Sequence, residues 1–200
     1  MTAGASPVIE WAVASRPLPG ELLSGDAAVV SPIGDRTLVA AVDALGHGPE
    51  ARAVATRAVS ILSEFASEDV VSLVRRCHDA LRGTRGAAIS AASFSAAAAT
   101  VTWLGVGNVE GRLVRSRRAE DVLLGSGIAG AELPPLTPTT LPVERGDVLA
   151  FATDGIDGSF ADGLDVSGTP QRIADRILAE HAKPVDDALV VVARFLGRTP

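Results

Sequence analysis

Four acidic sites in this sequence share one pattern, in which an aspartate lies at the predicted start or end of a strand. The candidate positions are Asp26 in Ser24-Gly25-Asp26, Asp43 in Asp43-Ala44-Leu45-Gly46-His47-Gly48, Asp154 in Thr153-Asp154-Gly155, and Asp186 in Asp186-Asp187. Such a carboxylate, with glycine nearby to let backbone approach closely, builds an oxygen-rich pocket for a hard divalent cation. With no Cys or His pair at zinc spacing, the ligand types favour Mg²⁺ or Mn²⁺.

These residue types also have simpler interpretations. Asp and Gly are common turn residues, so any one of the four sites taken alone could be an ordinary turn. His47 is the one histidine with a functional candidacy, as a general acid or a phosphate contact beside Asp43. Asp187 is either a residue that supports the site or a solvated turn residue. Cys77 lies in an amphipathic helical pattern, which predicts a core position.

The elements that must position these residues follow from short apolar runs separated by Pro and Gly. Such runs predict strands over 8–14, 27–33, 37–42, 87–94, 97–106, 109–114, 122–124, 148–152 and 188–195. Apolar residues at helical spacing predict two consecutive helices after Pro49 and a third over 170–182. The Pro- and Thr-rich stretch 132–142 is predicted as a loop or a poorly ordered strand edge. This order predicts an α+β fold, a sandwich of two antiparallel sheets covered by helices, in a single domain over residues 1–200.

Composition excludes several classes of protein. The chain has 200 residues, of which 47% are hydrophobic and 21% charged, as in globular domains. A net charge of −6 with scattered Arg argues against a nucleic-acid partner. Residues 86–109 carry no charge and could span a bilayer by length, but interleaved Ser, Thr and Gly favour two buried strands, so we expect no membrane partner. A single cysteine and the lack of a signal-peptide pattern predict a cytoplasmic protein.

Six motifs, in order, resemble those of metal-dependent protein phosphatases of the PPM (PP2C-like) superfamily, in its SpoIIE branch. They are Pro17-Leu18-Pro19-Gly20-Glu21 with Ser24-Gly25-Asp26, Asp43-Ala44-Leu45-Gly46-His47-Gly48, Arg85-Gly86-Ala87-Ala88, Gly105-Val106-Gly107-Asn108-Val109-Glu110, Ala152-Thr153-Asp154-Gly155-Ile156 and Asp186-Asp187-Ala188. The resemblance covers nearly the whole chain. It implies an α-β-β-α sandwich flanked by pairs of helices and a serine/threonine phosphatase activity.

The resemblance also implies a centre of two ions, Mn²⁺ or Mg²⁺. In it Asp43 would bridge the ions, Asp26 would serve one of them, and Asp154 with Asp186 would hold the other, while the backbone carbonyl at Ala44 would be a further ligand. Asp43 and His47 would be the catalytic residues, and water activated by the metals would attack phosphorus. The implied partners are phosphorylated protein regulators, of the stressosome or anti-sigma-antagonist type, in a bacterial stress-response partner-switching pathway.

Two departures from the family pattern keep alternatives open. Ala44 stands where the family has glycine, and a backbone φ that only glycine tolerates would be strained there. Leu189 stands where the family has threonine, which removes a hydroxyl near the metals. A catalytically weak module that binds a phosphoprotein is therefore one alternative, and a hydrolase of small phosphoesters is another. Substrate selectivity is expected from loops at 126–142 and 157–169.

Overall fold

A computed structural model of the chain describes residues 7–115, 119–121 and 124–197. The strands in this part of the chain are β1 (Ile9–Arg16), β2 (Asp26–Ile33), β3 (Arg36–Ala44), β4 (Ala87–Ser95), β5 (Thr100–Val106), β6 (Glu110–Val114), β7 (Ala119–Asp121), β8 (Leu124–Gly125), β9 (Thr139–Pro142), β10 (Val148–Ala152) and β11 (Ala188–Phe195). The helices are α1 (Gly48–Glu64), α2 (Val70–Leu81) and α3 (Pro170–His181), with a short 3₁₀ helix at Gly158–Ala161.

The strands form two sheets. One has the order β1-β11-β10-β6-β7, and the other has the order β2-β3-β4-β5-β8, with β9 paired to β5. Every pairing is antiparallel except that of β5 with β8. The predicted α+β sandwich of two antiparallel sheets is confirmed, and the short parallel pair is an addition that the sequence did not indicate.

Apolar side chains hold the layers together in three clusters. Between the sheets lie Phe94, Trp103, Phe151 and Phe195, all almost fully buried. Helices α1 and α2 cover the outer face of the sheet that contains β3, and α3 covers the outer face of the sheet that contains β10. The layer order is therefore helix, sheet, sheet, helix. In the described residues two α helices cover one side, and one α helix with the 3₁₀ helix covers the other, whereas the resemblance implied a pair of helices on each side.

Several sequence predictions concern single elements. The uncharged stretch 86–109 forms β4 and β5, as predicted, and none of the helices in the described part of the chain is long and apolar enough to cross a membrane. The stretch 132–142, predicted as a loop or a poorly ordered strand edge, contains β9, which adds to the edge of β5. Strand β5 begins three residues later than predicted because residues 96–99 form a turn, with Ala99 at a φ of 50°. The predicted strand 122–124 falls partly outside the described residues.

The structure confirms the predicted core position of Cys77. Its side chain is fully buried on α2 among the residues that pack α1 and α2 against the sheet. Burial raises the pKa of the thiol to about 12, so it stays protonated and unreactive at neutral pH.

Candidate active site

Asp26 and Asp43 face each other across two paired strands. Asp26 is the first residue of β2, and the antiparallel register places it opposite Asp43, one residue before the end of β3. Residues directly opposite in such a pair have Cβ atoms about 4.5–5.5 Å apart, and like charges there repel. The hairpin of β2 and β3 therefore presents two carboxylates at one end of the sandwich.

Asp154 follows a strand of the second sheet and lies near Asp43. It lies two residues beyond the end of β10, near enough to Asp43 that its backbone amide lowers the pKa of that carboxylate. Asn108 Nδ2 donates to Asp154 Oδ2 at 2.7 Å, and Lys183 Nζ donates to the Asp154 carbonyl oxygen at 2.8 Å. Two side chains from separate loops therefore hold Asp154 beside the β2–β3 hairpin.

Asp186 completes the group of four predicted carboxylates. It precedes β11 by two residues, and its negative charge raises the pKa of Asp26, Asp43 and Asp154. Its charge therefore acts on all three of the other aspartates, which places the four aspartates that the sequence singled out at the same end of the sandwich.

The carboxylates at the centre of the group are shifted towards their protonated forms. Burial raises the pKa of Asp43 to about 8, with further increases from the charges of Asp26, Asp154 and Asp186. Burial also raises the pKa of Asp26 to about 7, although a hydrogen bond from Thr153 Oγ1 at 2.7 Å opposes the shift. Burial also raises the pKa of Asp154, and repulsion by the charge of Asp186 raises it further. Removing these carboxylates from water and placing them together disfavours their charges, and a bound cation would offset that cost.

Asp187 has a structural role beneath this group. Its carboxylate is buried and accepts hydrogen bonds from the backbone amides of Leu18 and Gly25, both at 2.7 Å. One side chain at the start of β11 therefore fastens both ends of the loop 18–25 that leads into Asp26. Of the two interpretations from sequence, the supporting residue is confirmed and the solvated turn residue is wrong.

His47 lies four residues beyond Asp43 in the chain and is exposed. It is the residue before α1, and its side chain does not cap that helix. Instead its Nδ1 lies 3.1 Å from Glu21 Oε1, a carboxylate oxygen of the loop 18–25. Gly48, the next residue, has a φ of +76°, a backbone conformation that glycine adopts without strain. The imidazole is thus oriented by a carboxylate from a different segment.

The two departures from the family pattern leave the local backbone regular. Ala44 is the last residue of β3, and the only non-glycine residue with a positive φ in the described part of the chain is Ala99. The strain considered at Ala44 is therefore absent, and its methyl group is buried in the core. Leu189 donates its backbone amide to Thr153 Oγ1 at 2.9 Å, and that hydroxyl donates to Asp26. A hydroxyl therefore still lies among the carboxylates.

The donor set fits a hard divalent cation. It consists of carboxylate and backbone oxygens at the end of two sheets, which is the chemistry that Mg²⁺ and Mn²⁺ prefer. Within the described ranges no three acidic, His or Cys side chains already converge as a ligand set for one ion. Asp26 and Asp154 instead accept hydrogen bonds from neighbouring side chains, so these two carboxylates would have to rotate when a cation binds.

Four residues at the site had no assigned role in the sequence prediction. Asn108 and Glu21 lie within motifs that the sequence already indicated, so a polar side chain in a glycine-rich loop was their signal. Thr153 precedes Asp154 in a third motif. Lys183 lies outside all the motifs, and its only signal is that it is the single lysine of the chain.

Comparison with known proteins supports the resemblance. Residues 33–196 match the family model for Stage II sporulation protein E (SpoIIE). The phosphoserine phosphatase RsbX of Bacillus subtilis (strain 168) is 27% identical over 139 residues, which cover 68% of this chain and 69% of RsbX.

Solved structures share the fold over almost the full length. A structure from the bacterial stressosome, a modular system adapted to control secondary messenger signalling, superposes with a TM-score of 0.87 at 27% identity, covering 93% of this chain and 99% of that one. RsbX in complex with magnesium superposes with a TM-score of 0.85 at 23% identity, covering 94% and 95%. Other structures with this fold are PP2C phosphatase domains.

Proposed function

Because this chain belongs to the SpoIIE family and is a protein-serine/threonine phosphatase of the PPM type, we propose that it hydrolyses phosphoserine and phosphothreonine in protein regulators with the help of two divalent cations. The observation that supports this most directly is the convergence of Asp26, Asp43, Asp154 and Asp186 from two sheets. A carboxylate cluster of this kind concentrates negative charge that divalent cations would neutralise.

Each residue has a proposed role. Asp43 is the bridging ligand because it lies between Asp26 on its own sheet and Asp154 from the other. Asp26 serves one ion, Asp154 and Asp186 hold the other, and the carbonyl of Ala44 is a further ligand. Asn108 and Lys183 hold Asp154 in position by hydrogen bonds to its carboxylate and to its carbonyl oxygen, respectively. When bound, Mn²⁺ or Mg²⁺ supplies the Lewis acidity that activates water and offsets charge on the phosphate.

His47 is proposed to act as a general acid or as a contact to the phosphate. Its ring lies beside the loop that follows Asp43, and Glu21 fixes its orientation through Nδ1. With Nδ1 directed at a carboxylate, Nε2 is the nitrogen free to hold or release a proton towards the leaving oxygen of the substrate.

The proposed substrates are phosphorylated regulators of a bacterial stress-response pathway of the stressosome or anti-sigma-antagonist type. Two comparisons support this choice: RsbX is named a phosphoserine phosphatase, and one structure with a TM-score of 0.87 comes from the stressosome. The regular backbone at Ala44 removes one reason to prefer a non-catalytic binding module.

The test is an assay of phosphate release with Mn²⁺, with Mg²⁺ and with excess chelator, on p-nitrophenyl phosphate and on a phosphorylated stressosome regulator. We expect turnover with at least one metal and none with chelator. Full turnover in excess chelator would contradict the two-metal mechanism. Binding of the phosphorylated regulator without phosphate release in millimolar Mn²⁺ would instead identify the binding module.

A further inference from the structure

Most of the exposed large apolar side chains in the described residues lie in segments that also carry the candidate active site. Six such side chains are exposed in the part of the chain that the structure describes, and four of them are Leu22, Leu23, Leu45 and Val185. Leu22 is 95% exposed and Val185 74%, and exposed apolar side chains that occur in a group rather than singly are typical of interaction surfaces. We call these four residues the apolar rim.

All three segments that carry the apolar rim also carry or touch the carboxylates. Leu45 is two residues beyond Asp43, and Val185 immediately precedes Asp186. Leu22 and Leu23 lie in the loop 18–25, which ends one residue before Asp26. The apolar rim therefore belongs to the same segments as the carboxylates, at the same end of the sandwich.

The loop that carries Leu22 and Leu23 is anchored on both sides. Asp187 accepts hydrogen bonds from its first and last amides, at Leu18 and Gly25, and the carbonyl of Leu18 accepts from the amide of Glu21. The contact between Glu21 and His47 fastens its middle to the start of α1. The leucines are thus exposed on a fixed loop, and binding a partner there requires little further ordering.

The charges around the candidate active site disfavour an acidic partner surface. The ammonium group of Lys183 donates a hydrogen bond to the Asp154 carbonyl oxygen, and Arg85 forms an ion pair with Glu50. The surrounding side chains Glu21, Asp154 and Asp186 are acidic, so an acidic partner surface would be repelled apart from its phosphate. A phosphoprotein with apolar side chains next to the phosphorylated residue avoids this repulsion and can also cover the exposed apolar rim.

We propose that the apolar rim is the docking surface for the phosphoprotein substrate, and that it selects substrates whose phosphoserine is flanked by apolar side chains. This inference rests on the proposed phosphatase function and adds the determinant of its selectivity. It also moves that determinant from the loops 126–142 and 157–169, which the sequence suggested, to the loop 18–25 and its neighbours.

The experiment compares two phosphoserine peptides of equal length, one with leucine and one with serine on both sides of the phosphoserine. Phosphate release with saturating Mn²⁺ is measured for the wild type, for the double variant Leu22→Ser/Leu23→Ser, and for Trp11→Ser. Trp11 is 49% exposed and is the matched control, because it lies on β1 five residues, or about 16 Å, from Arg16 at the end nearer the site. Turnover of p-nitrophenyl phosphate reports on the chemistry alone.

We expect the wild type and Trp11→Ser to prefer the leucine peptide by about tenfold in kcat/KM, equivalent to about 1.4 kcal/mol. The double variant should lose most of that preference and keep its rate on p-nitrophenyl phosphate. Equal rates of the wild type on the two peptides, or an undiminished preference in the double variant, would overturn the inference. If no substrate is hydrolysed at all, the proposed function fails, and the affinities of the two peptides, measured by fluorescence anisotropy, then decide whether the apolar rim selects between them.

Discussion

At the scale of single residues, the charge of Asp43 should be needed for activity and unfavourable for stability. Asp43→Asn keeps a side chain that can accept the Asp154 amide but removes the proposed bridging charge. We expect turnover of p-nitrophenyl phosphate with Mn²⁺ to fall by about a thousandfold or more, as for loss of a central electrostatic group. The melting temperature of the metal-free protein should not fall, because repulsion from Asp26, Asp154 and Asp186 is relieved.

Asp35→Asn is the control for that substitution. Asp35 lies in the turn at the opposite end of the same β2–β3 hairpin and is exposed. This variant should keep both activity and stability. Activity of Asp43→Asn near the wild-type level, measured beside this control, would show that Asp43 is not a bridging ligand.

A second residue-scale prediction concerns Ala44. Its φ lies outside the left-handed region and its methyl group is packed in the core, so glycine offers no relief of strain. We expect Ala44→Gly to leave the affinity for Mn²⁺ within about threefold and to lower the free energy of unfolding by about 1 kcal/mol, since glycine is less favourable than alanine in a strand. Calorimetric titration and chemical denaturation measure the two quantities, and a tenfold gain in affinity would contradict this view.

The sequence indicated the four candidate ligands more clearly than it indicated the supporting role of Asp187, and the reason is physical. Asp26, Asp43, Asp154 and Asp186 could be chosen because each lies at a strand boundary, where short-range pattern is informative. Their meeting depends on the pairing of β2 with β3 and on the packing of two sheets, which no local pattern contains. Asp187 has the same residue type and a similar place, yet its partners Leu18 and Gly25 are 169 and 162 residues away and contribute only backbone amides.

At the scale of elements, the pairing of β2 with β3 makes stability depend on pH. Asp26 and Asp43 have pKa values raised to about 7 and about 8, above the ordinary value of 3.8 that the unfolded chain has. The folded state therefore binds more protons than the unfolded state between pH 4 and 8. Their contribution to stability is full below pH 4 and is lost as the pH rises through 7 and 8.

We expect the metal-free protein to lose stability between pH 5.5 and 8.5, and Asp43→Asn to lose clearly less over the same interval. Mn²⁺ should stabilise the wild type more at pH 8 than at pH 6, since it competes with protons for these carboxylates. Urea denaturation at each pH, with and without Mn²⁺, measures this. Parallel curves for the wild type and the variant would be the contrary result.

The attachment of loop 18–25 to β11 gives a separate prediction. Asp187→Ala removes the acceptor of two backbone amides and leaves a cavity beneath the loop. We expect a loss of about 2–4 kcal/mol in the free energy of unfolding, as for the loss of charge-assisted hydrogen bonds from buried groups. Hydrogen exchange should accelerate most at Leu18 and Gly25. Unchanged protection of these two amides would show that Asp187 does not fasten the loop.

Elements with their own apolar run were predicted well, whereas for the stretch that contains β9 the sequence left a loop and a strand edge as alternatives. Strands β10 and β11 have the predicted bounds because both are buried on both faces and read as continuous apolar runs. Strand β9 is a run of Thr139–Pro142 with alternating exposure, and it exists because β5 offers an unpaired edge. Its proline and threonines resemble a loop in sequence, so only the partner strand distinguishes the two.

At the scale of the whole molecule, the candidate site belongs to the junction of two sheets rather than to either one. One sheet supplies Asp26 and Asp43, and Asp154 and Asp186 adjoin β10 and β11 of the other. The cluster Phe94, Trp103, Phe151 and Phe195 holds the sheets face to face and so fixes the separation of these carboxylates. The family resemblance could predict this arrangement, but the residue pattern alone could not, because contact between sheets has no periodicity along the chain.

The last prediction is that a folded substrate is a better substrate than its phosphorylated segment. The carboxylate cluster lies at an edge of the sandwich, and Asp154, Leu45 and His47 beside it are exposed, so the site itself encloses little of a bound molecule. Recognition must then use surface around the site, and a folded regulator can contact more of that surface than a peptide.

With equal concentrations of a phosphorylated stressosome regulator and of a phosphoserine peptide of the same local sequence, we expect the folded protein to react at least about tenfold faster, the effect of about 1.4 kcal/mol of extra binding in the transition state. Initial rates of phosphate release measure this at substrate concentrations below KM, where they report kcat/KM. Equal initial rates would mean that recognition is confined to the phosphoserine and its immediate neighbours, and would favour a hydrolase of small phosphoesters. Because such an enzyme needs no surface beyond the metal site, its rates would also be insensitive to serine substitutions at Leu22 and Leu23.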